Sequence, residues 1–195
     1  MKFVVLSSSR GTTMQAVFDA IKKGELHAEC LGLITDKADR GCAEKARAGG
    51  VRVEVVEKMP GEDRVIYDKR IHLAIEKLAG KEKPIIACLG WMWMLSPGFV
   101  EQWKNKIVNV HPSLLPKHPG IHAHDLVIKN KEKESGMTIH LIDAGMDTGK
   151  ILLQKSCPVL PDDTVETLKK RVQELECEWY PRVLEMIAKK EITLS

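Results

Sequence analysis

Five short apolar runs, each followed by helical periodicity or a turn, constrain the fold more than any other feature of the sequence. Lys2–Leu6 (KFVVL), Cys30–Thr35 (CLGLIT), Val51–Val56, Pro84–Leu89 (PIIACL) and Ile107–Val110 have the length and side chains of strands. Between them, Met14, Val17 and Ile21 recur at helical spacing, and Cys42–Ala48 reads as a short helix stopped by Gly49 and Gly50. Gly61–Leu78 carries Ile71, Ala74, Ile75 and Leu78 on one helical face, and Pro97 opens a short helix to Trp103. Strands that alternate with helices pair in parallel through crossovers, which predicts an α/β protein with a mostly parallel sheet. Such sheets bind ligands beyond the carboxyl ends of their strands. The loops Ser7–Thr13, Gly90–Leu95 and Asn109–Gly120 lie at those ends.

The pattern then changes. Met137–Ile142 and Ile151–Val159 read as strands joined by Asp143–Gly149, which predicts an antiparallel extension. A long C-terminal helix follows, with Val165, Leu168, Val172, Leu175 and Trp179 as its apolar stripe. Asp163 and Glu166 suggest a capping box at its start, and Pro181 is expected to kink or end it near Tyr180. The mixed charge run Lys129–Glu134 reads as a solvated turn. With 195 residues and no repeats or linkers, a single domain over 1–195 is expected.

Composition narrows the function classes. A net charge of +3 is too small to argue for nucleic acid or an anionic membrane as partner, but it suits a phosphorylated substrate. Five scattered cysteines with no C-x-x-C exclude a disulfide framework or a cysteine zinc site and predict reduced thiols in a cytoplasmic protein. The N-terminal apolar run is too short for a signal peptide or a membrane span.

The chemistry concentrates in Ile107–Gly120, IVNVHPSLLPKHPG. Pro112, Pro116 and Pro119 each fix φ and remove a donor, so a stiff, extended loop leaving a strand is expected. Asn109 and His111, two apart at its root, would project from the same face. If Asp147 reaches His111, its carboxylate favours a charged imidazole. An imidazolium beside an amide donor can then hold an oxyanion and carry a proton. Each residue alone also reads as structural, His111 as a loop histidine and Asp147 as a turn aspartate. Ser113 is a candidate nucleophile that nothing in the sequence marks as activated. His118, His122 and His124 raise the question of a metal, but no cysteine or paired carboxylate accompanies them and none is expected. Trp91, Met92, Trp93 and Met94 read either as core packing or as the floor of an aromatic ligand site. Ser7–Thr13, between the first strand and its helix, suits a phosphate at the helix N-terminus or a plain turn; it lacks the G-x-G-x-x-G and Walker patterns.

The stretch NVHPSLLPKHPGIHAH, with DAGMDTG after it, resembles the folate-dependent glycinamide ribonucleotide transformylases. The similarity extends through VVLSSSRGTT, DRVIYD, LGWMWMLSP and RVQELECEWYP. The resemblance implies a Rossmann-like formyltransferase fold with a nucleotide-binding half over 1–110 and a folate and catalytic half over 111–195. It implies formyl transfer from 10-formyltetrahydrofolate to a ribonucleotide amine, as monomer or homodimer, with no metal, nucleic acid or membrane. It implies Asn109, His111 and Asp147 as catalytic residues, and Gly11, Thr12, Thr13, Gln173 and Glu176 against the ribonucleotide. Folate would meet Arg64, Met92, Trp93, Met94, Leu95, Asn109 and the loop Asp143, Ala144, Gly145, Met146 and Asp147. Thr12 and Thr13 stand where the family often has serine and asparagine, but their hydroxyls still suit a phosphate. Trp93 replaces a common arginine, which is expected to remove a contact to the folate tail. Other readings are a different formyl-folate enzyme, either a hydrolase or a transferase to another amine, and a non-catalytic nucleotide- or folate-binding module.

Overall fold

The computed structural model describes residues 1–194. One seven-stranded sheet has the order β3-β2-β1-β4-β5-β6-β7. Its strands are β1 (Lys2–Leu6), β2 (Glu29–Thr35), β3 (Val53–Val55), β4 (Ile85–Cys88), β5 (Ile107–His111), β6 (Glu134–Leu141) and β7 (Ile151–Pro158). The first five pair in parallel, and β6 and β7 join antiparallel, as the change of pattern predicts. The helices are α1 (Thr12–Lys22), α2 (Gly41–Ala48), α3 (Arg64–Ala79), α4 (Pro97–Gln102), α5 (Ala123–Lys129) and α6 (Val165–Ala188). Strand order reverses between β1 and β4, so the loops after these strands flank the crevice where α/β sheets bind ligands.

Alternation along β1 divides the core. Phe3 and Val5 join one apolar cluster with residues of α1, α2 and α6; Val4 and Leu6 join the other with α3 and α4. Tyr180 is fully buried in the first cluster and donates to the Val108 carbonyl at 2.9 Å, which pins α6 to β5. Among the described residues, no helix is long and apolar enough to cross a membrane.

Several local expectations are corrected. α6 does not end at Pro181 but runs to Ala188. Proline inside a helix costs about 3 kcal/mol, and burial of Tyr180, Val183, Leu184 and Ile187 against the sheet offsets it. The cap of α6 is Thr164 paired with Thr167, because Asp163 is already committed to Arg171 and the Leu160 N–H. α3 starts at Arg64, since the Asp63 carboxylate accepts from the Val65 and Ile66 N–H groups. The Ser113–Gly120 loop is not extended. The Ser113 hydroxyl donates to the Lys117 carbonyl at 2.6 Å, the Lys117 N–H bonds back to Leu114, and His118 and Gly120 take positive φ. After that fold-back the chain forms α5, in a stretch whose histidines concealed the helical period.

Tyr180→Phe keeps the ring and leaves the Val108 carbonyl without its donor, so it is expected to cost about 1–2 kcal/mol. A thermal melt should show a midpoint lower by several degrees; an unchanged midpoint would mean the bond does not hold α6.

Candidate active site

The centre of the site is the pairing of β5 with β6. Asn109 lies directly opposite His140, and His111 opposite Thr138. Opposed residues present their side chains on the same face. Accordingly, Asn109 Nδ2 donates to His140 Nε2 at 3.1 Å, and His140 Nδ1 donates to the Leu141 carbonyl at 2.9 Å. Both bonds require His140 neutral with its proton on Nδ1. Burial moves the ring the same way, pushing its pKa below the ordinary histidine value. His140 was not read from the sequence; the pairing register alone reveals it.

His111, nearly enclosed, is gripped at both nitrogens. Its Nε2 donates to the His118 carbonyl at 2.8 Å, and its Nδ1 lies 3.3 Å from Asp147 Oδ2. Asp147 Oδ1 lies 3.7 Å from His140 Nε2, so one carboxylate faces both imidazoles. Asp147 also accepts from the Gly120 N–H at 2.8 Å and sits at φ 55, a left-handed conformation that aspartate tolerates. The expected trio therefore assembles, with His140 as a fourth member.

How Asp147 arrives depends on the hairpin. β6 runs antiparallel, so its end at Leu141 lies beside Val108 near the start of β5. The loop after it must return across the sheet to bring Asp147 to His111. Asp143 shapes that loop: its Oδ1 accepts from the Gly145 N–H at 3.0 Å and the Thr148 hydroxyl at 2.7 Å. A side chain at Gly149 would collide with the Leu141 carbonyl, so only glycine closes the hairpin here. Ala144 and Met146 are exposed on the loop. Thr138 ties the opposite wall, donating to the Ser113 carbonyl and accepting from the Leu115 N–H. Ser113 is fully buried with its hydroxyl given to Lys117, which leaves no activated nucleophile.

At the switch point, Gly11 is the N-cap of α1 at φ 74, and a Cβ there would press on Cys42. A glycine cap supplies no side-chain acceptor, so the N–H groups of the first turn stay open to an anion. Thr12 is half-buried there. The Thr13 hydroxyl takes another direction and donates to Glu176 Oε2 of α6 at 3.0 Å. Burial pushes the Glu176 carboxyl up to about 7. Gln173, half-buried, lies one turn earlier on the same face of α6.

The loop after β4 is joined to both neighbours. The Ser7 and Ser9 hydroxyls donate to the Leu89 carbonyl, and Gly90 at φ 73 packs against the Ser9 side chain. Trp91 stacks on Tyr67 of α3 at 6.3 Å, so that tryptophan packs as core. Trp93 meets the Tyr67 edge and donates to Asp36 at 3.1 Å, where Arg40 also binds. Met92 and Met94 are more than half exposed, and Leu95 packs inward. Arg64 stands exposed at the first turn of α3, the helix that carries Tyr67. His118 pairs with Glu132, His122 is exposed beside Asp125, and burial lowers the half-buried His124 to about 4. Among the described residues, no three His, Cys, Asp or Glu side chains form a metal-holding group.

An amide, two imidazoles and a carboxylate, with no activated hydroxyl or thiol beside them, define a site for holding an oxyanion and moving a proton without a covalent intermediate. The chain belongs to the formyl transferase family, whose model matches residues 1–184. The phosphoribosylglycinamide formyltransferase of Escherichia coli (strain K12) is 32% identical over 188 residues, covering 96% of this chain and 87% of the relative. The trifunctional purine biosynthetic protein adenosine-3 of Drosophila melanogaster is 34% identical over 196 residues; the match takes in 100% of this chain and 14% of the fly protein's length. The crystal structure of glycinamide ribonucleotide transformylase 1 from Symbiobacterium toebii superposes with a TM-score of 0.93 at 30% identity, covering 100% of this chain and 91% of that one.

His140 is expected to keep its neutral Nδ1–H form to lower pH than an exposed histidine does, because burial disfavours the charged ring. Nitrogen-15 shifts of the imidazoles read this directly; a His140 ring titrating at the ordinary value would contradict the bond to Asn109.

Proposed function

We propose that the chain transfers the formyl group of 10-formyltetrahydrofolate to the glycine amine of glycinamide ribonucleotide, a step of purine biosynthesis in the cytoplasm. The observation that carries this reading is the Asn109–His140 and His111–Asp147 cluster. It lies on the sheet whose switch point bears the uncapped N-terminus of α1. The whole chain acts as one domain. The ribonucleotide phosphate lies on the first-turn N–H groups beside Gly11, Thr12 and Thr13, and the rest of that substrate passes Gln173 and Glu176 of α6 so that its amine reaches the cluster at Asp147. Folate lies against Met92–Leu95 and the Asp143–Asp147 loop, with Arg64 toward its acidic tail. Exposed Met92, Met94 and Met146 supply adaptable apolar cover for the pterin and benzoyl rings.

The reaction needs no covalent enzyme intermediate. The amine lone pair attacks the formyl carbon, and the carbonyl electron pair moves onto oxygen. One N–H of Asn109 is held by His140, which aims the other at that oxyanion. The His118 carbonyl keeps a proton on His111 Nε2, so Nδ1, opposite Asp147, is the nitrogen that exchanges a proton. Asp147 accepts the proton released by the attacking amine, directly or through water. The carbon–N10 bond then breaks and N10 takes a proton from His111. The donors are fixed before substrate arrives and need no reorganisation. A formyl-folate hydrolase would use the same cluster with water as nucleophile; the open helix terminus and the Thr13–Glu176 pair favour the ribonucleotide.

His111→Ala and Asp147→Ala are each expected to lower ribonucleotide-dependent release of deformylated folate by about 10²–10⁴-fold while the melting profile stays cooperative. Near-normal turnover in either variant would contradict the assignment. Release at the same rate without ribonucleotide would favour the hydrolase.

A further inference from the structure

The stretch 91–95 after β4 is fastened at its ends and open between them. Before it, the Ser8 N–H donates to the Gly90 carbonyl at 3.1 Å, and the Ser7 and Ser9 hydroxyls hold the Leu89 carbonyl. After it, the Ser96 N–H donates to the buried Asp68 carboxylate. Among the described residues, no backbone N–H or carbonyl of 91–95 is hydrogen-bonded. Such groups are left to water or to a ligand. The one hydrogen bond that the stretch makes among the described residues comes from a side chain, Trp93 Nε1 to Asp36 Oδ2 at 3.1 Å. The sheet register sets where this open backbone stands: Cys88, at the end of β4, pairs with Asn109.

We infer that Trp93 is a positioning residue: its indole N–H, held by Asp36, fixes the unpaired backbone of 91–95 in the shape that meets the donor–acceptor edge of the formyl-folate ring. The inference rests on the reading above, in which folate lies against Met92–Leu95. It gives the indole a task in shaping the loop, separate from any contact with the acidic tail of the ligand.

Asp36 has the properties of a fixed anchor. It follows β2 directly, and Trp93 follows β4, so the bond between them spans the end of β1. Asp36 is 2% exposed, and Arg40 binds its carboxylate through Nε at 2.9 Å and a terminal guanidinium nitrogen at 2.7 Å. Burial acts to raise the Asp36 carboxyl, but the Arg40 and Trp93 bonds outweigh it and hold it below the ordinary value. It therefore accepts as a carboxylate at neutral pH, and a bond to an ionised acceptor is stronger than a neutral one. Arg40 occupies the N-cap position of α2, and the Cys42 N–H of that helix donates to the Ser9 carbonyl at 3.2 Å. The anchor is thus tied in turn to the loop before α1. The indole ring is confined as well, with the Tyr67 ring centroid 6.2 Å away and the Lys58 ammonium 5.7 Å from its own centroid. A phenylalanine keeps an aromatic ring between these neighbours and lacks only the donor.

The test compares the wild type with Trp93→Phe, with Asp36→Ala and with the double variant. Steady-state kinetics are run with 10-formyltetrahydrofolate and glycinamide ribonucleotide, each varied in turn, well below the melting midpoint of every variant. Trp93→Phe should raise KM for the formyl folate about tenfold, the size expected for a hydrogen bond to a charged group. It should change kcat and the ribonucleotide KM by less than about twofold, as for lost ground-state binding of one substrate. With Asp36 already alanine, adding Trp93→Phe should move the folate KM by less than about twofold, because the bond is already gone. An unmoved folate KM in Trp93→Phe overturns the inference. So does a full effect of Trp93→Phe in the Asp36→Ala background, which would give the indole a role of its own against the ligand. A rise of both KM values together overturns it too, since that marks general loosening. In these cases a wild type that formylates the ribonucleotide leaves the functional reading standing. A wild type that does not formylate it overturns that reading and this inference together.

Discussion

The antiparallel pairing of β5 with β6 is the constraint on which the site depends. A one-residue slip would turn His140 to the opposite face of the sheet and leave Asn109 without its acceptor. In the observed register, Asn109 faces His140, and Thr138, opposite His111, fastens the Ser113–Leu115 segment through two hydrogen bonds. Gln154 of β7 donates to Thr138 and to the Leu115 carbonyl, so the edge strand supports the same wall. The loop therefore returns its His118 carbonyl to His111 at a fixed place. The chemistry of one imidazole is set by ladder geometry three strands wide.

The second support is α6. It begins at the edge-strand side of the sheet, passes the first turn of α1 with Glu176, and is locked to β5 by Tyr180. The helix that carries Gln173 and Glu176 is thus tied to the strand that carries Asn109 and His111. Continuing through Pro181 serves this arrangement, because the residues beyond it bury the rest of the face. Glu185 closes the helix end, accepting from both the backbone N–H and the ring of His27. Attractions of these kinds hold α1, α6 and β5 in one frame, which is what the proposed catalysis by proximity requires.

Much of this was legible in the residues. The strand–helix alternation predicted the parallel sheet, and the change after Val110 predicted the antiparallel end. Asn109 and His111 on one face followed from strand period, and Asp147 was the carboxylate available to them. What the sequence concealed was tertiary. His140 looks like any residue of a buried strand until its register with Asn109 is known. Thr13 reads as a phosphate ligand until α6 is seen beside it. The Ser113–Gly120 loop read as extended because proline fixes φ locally, whereas a serine hydroxyl and a left-handed His118 fold it back. α5 was hidden because His122, His124 and the adjacent prolines mask a helix of only seven residues. Nothing local to Trp93 indicated that its indole would bind Asp36.

The most direct measurement is a crystal structure with the ribonucleotide and a formyl-folate analogue that cannot release its group. The phosphate should sit on the first-turn N–H groups of α1, with the ribonucleotide amine about 3–3.5 Å from the formyl carbon. The formyl oxygen should lie within hydrogen-bond distance of Asn109 Nδ2 and His111 Nδ1. A phosphate bound elsewhere, or a formyl oxygen held away from both donors, would contradict the assignment of this cluster as the transfer site.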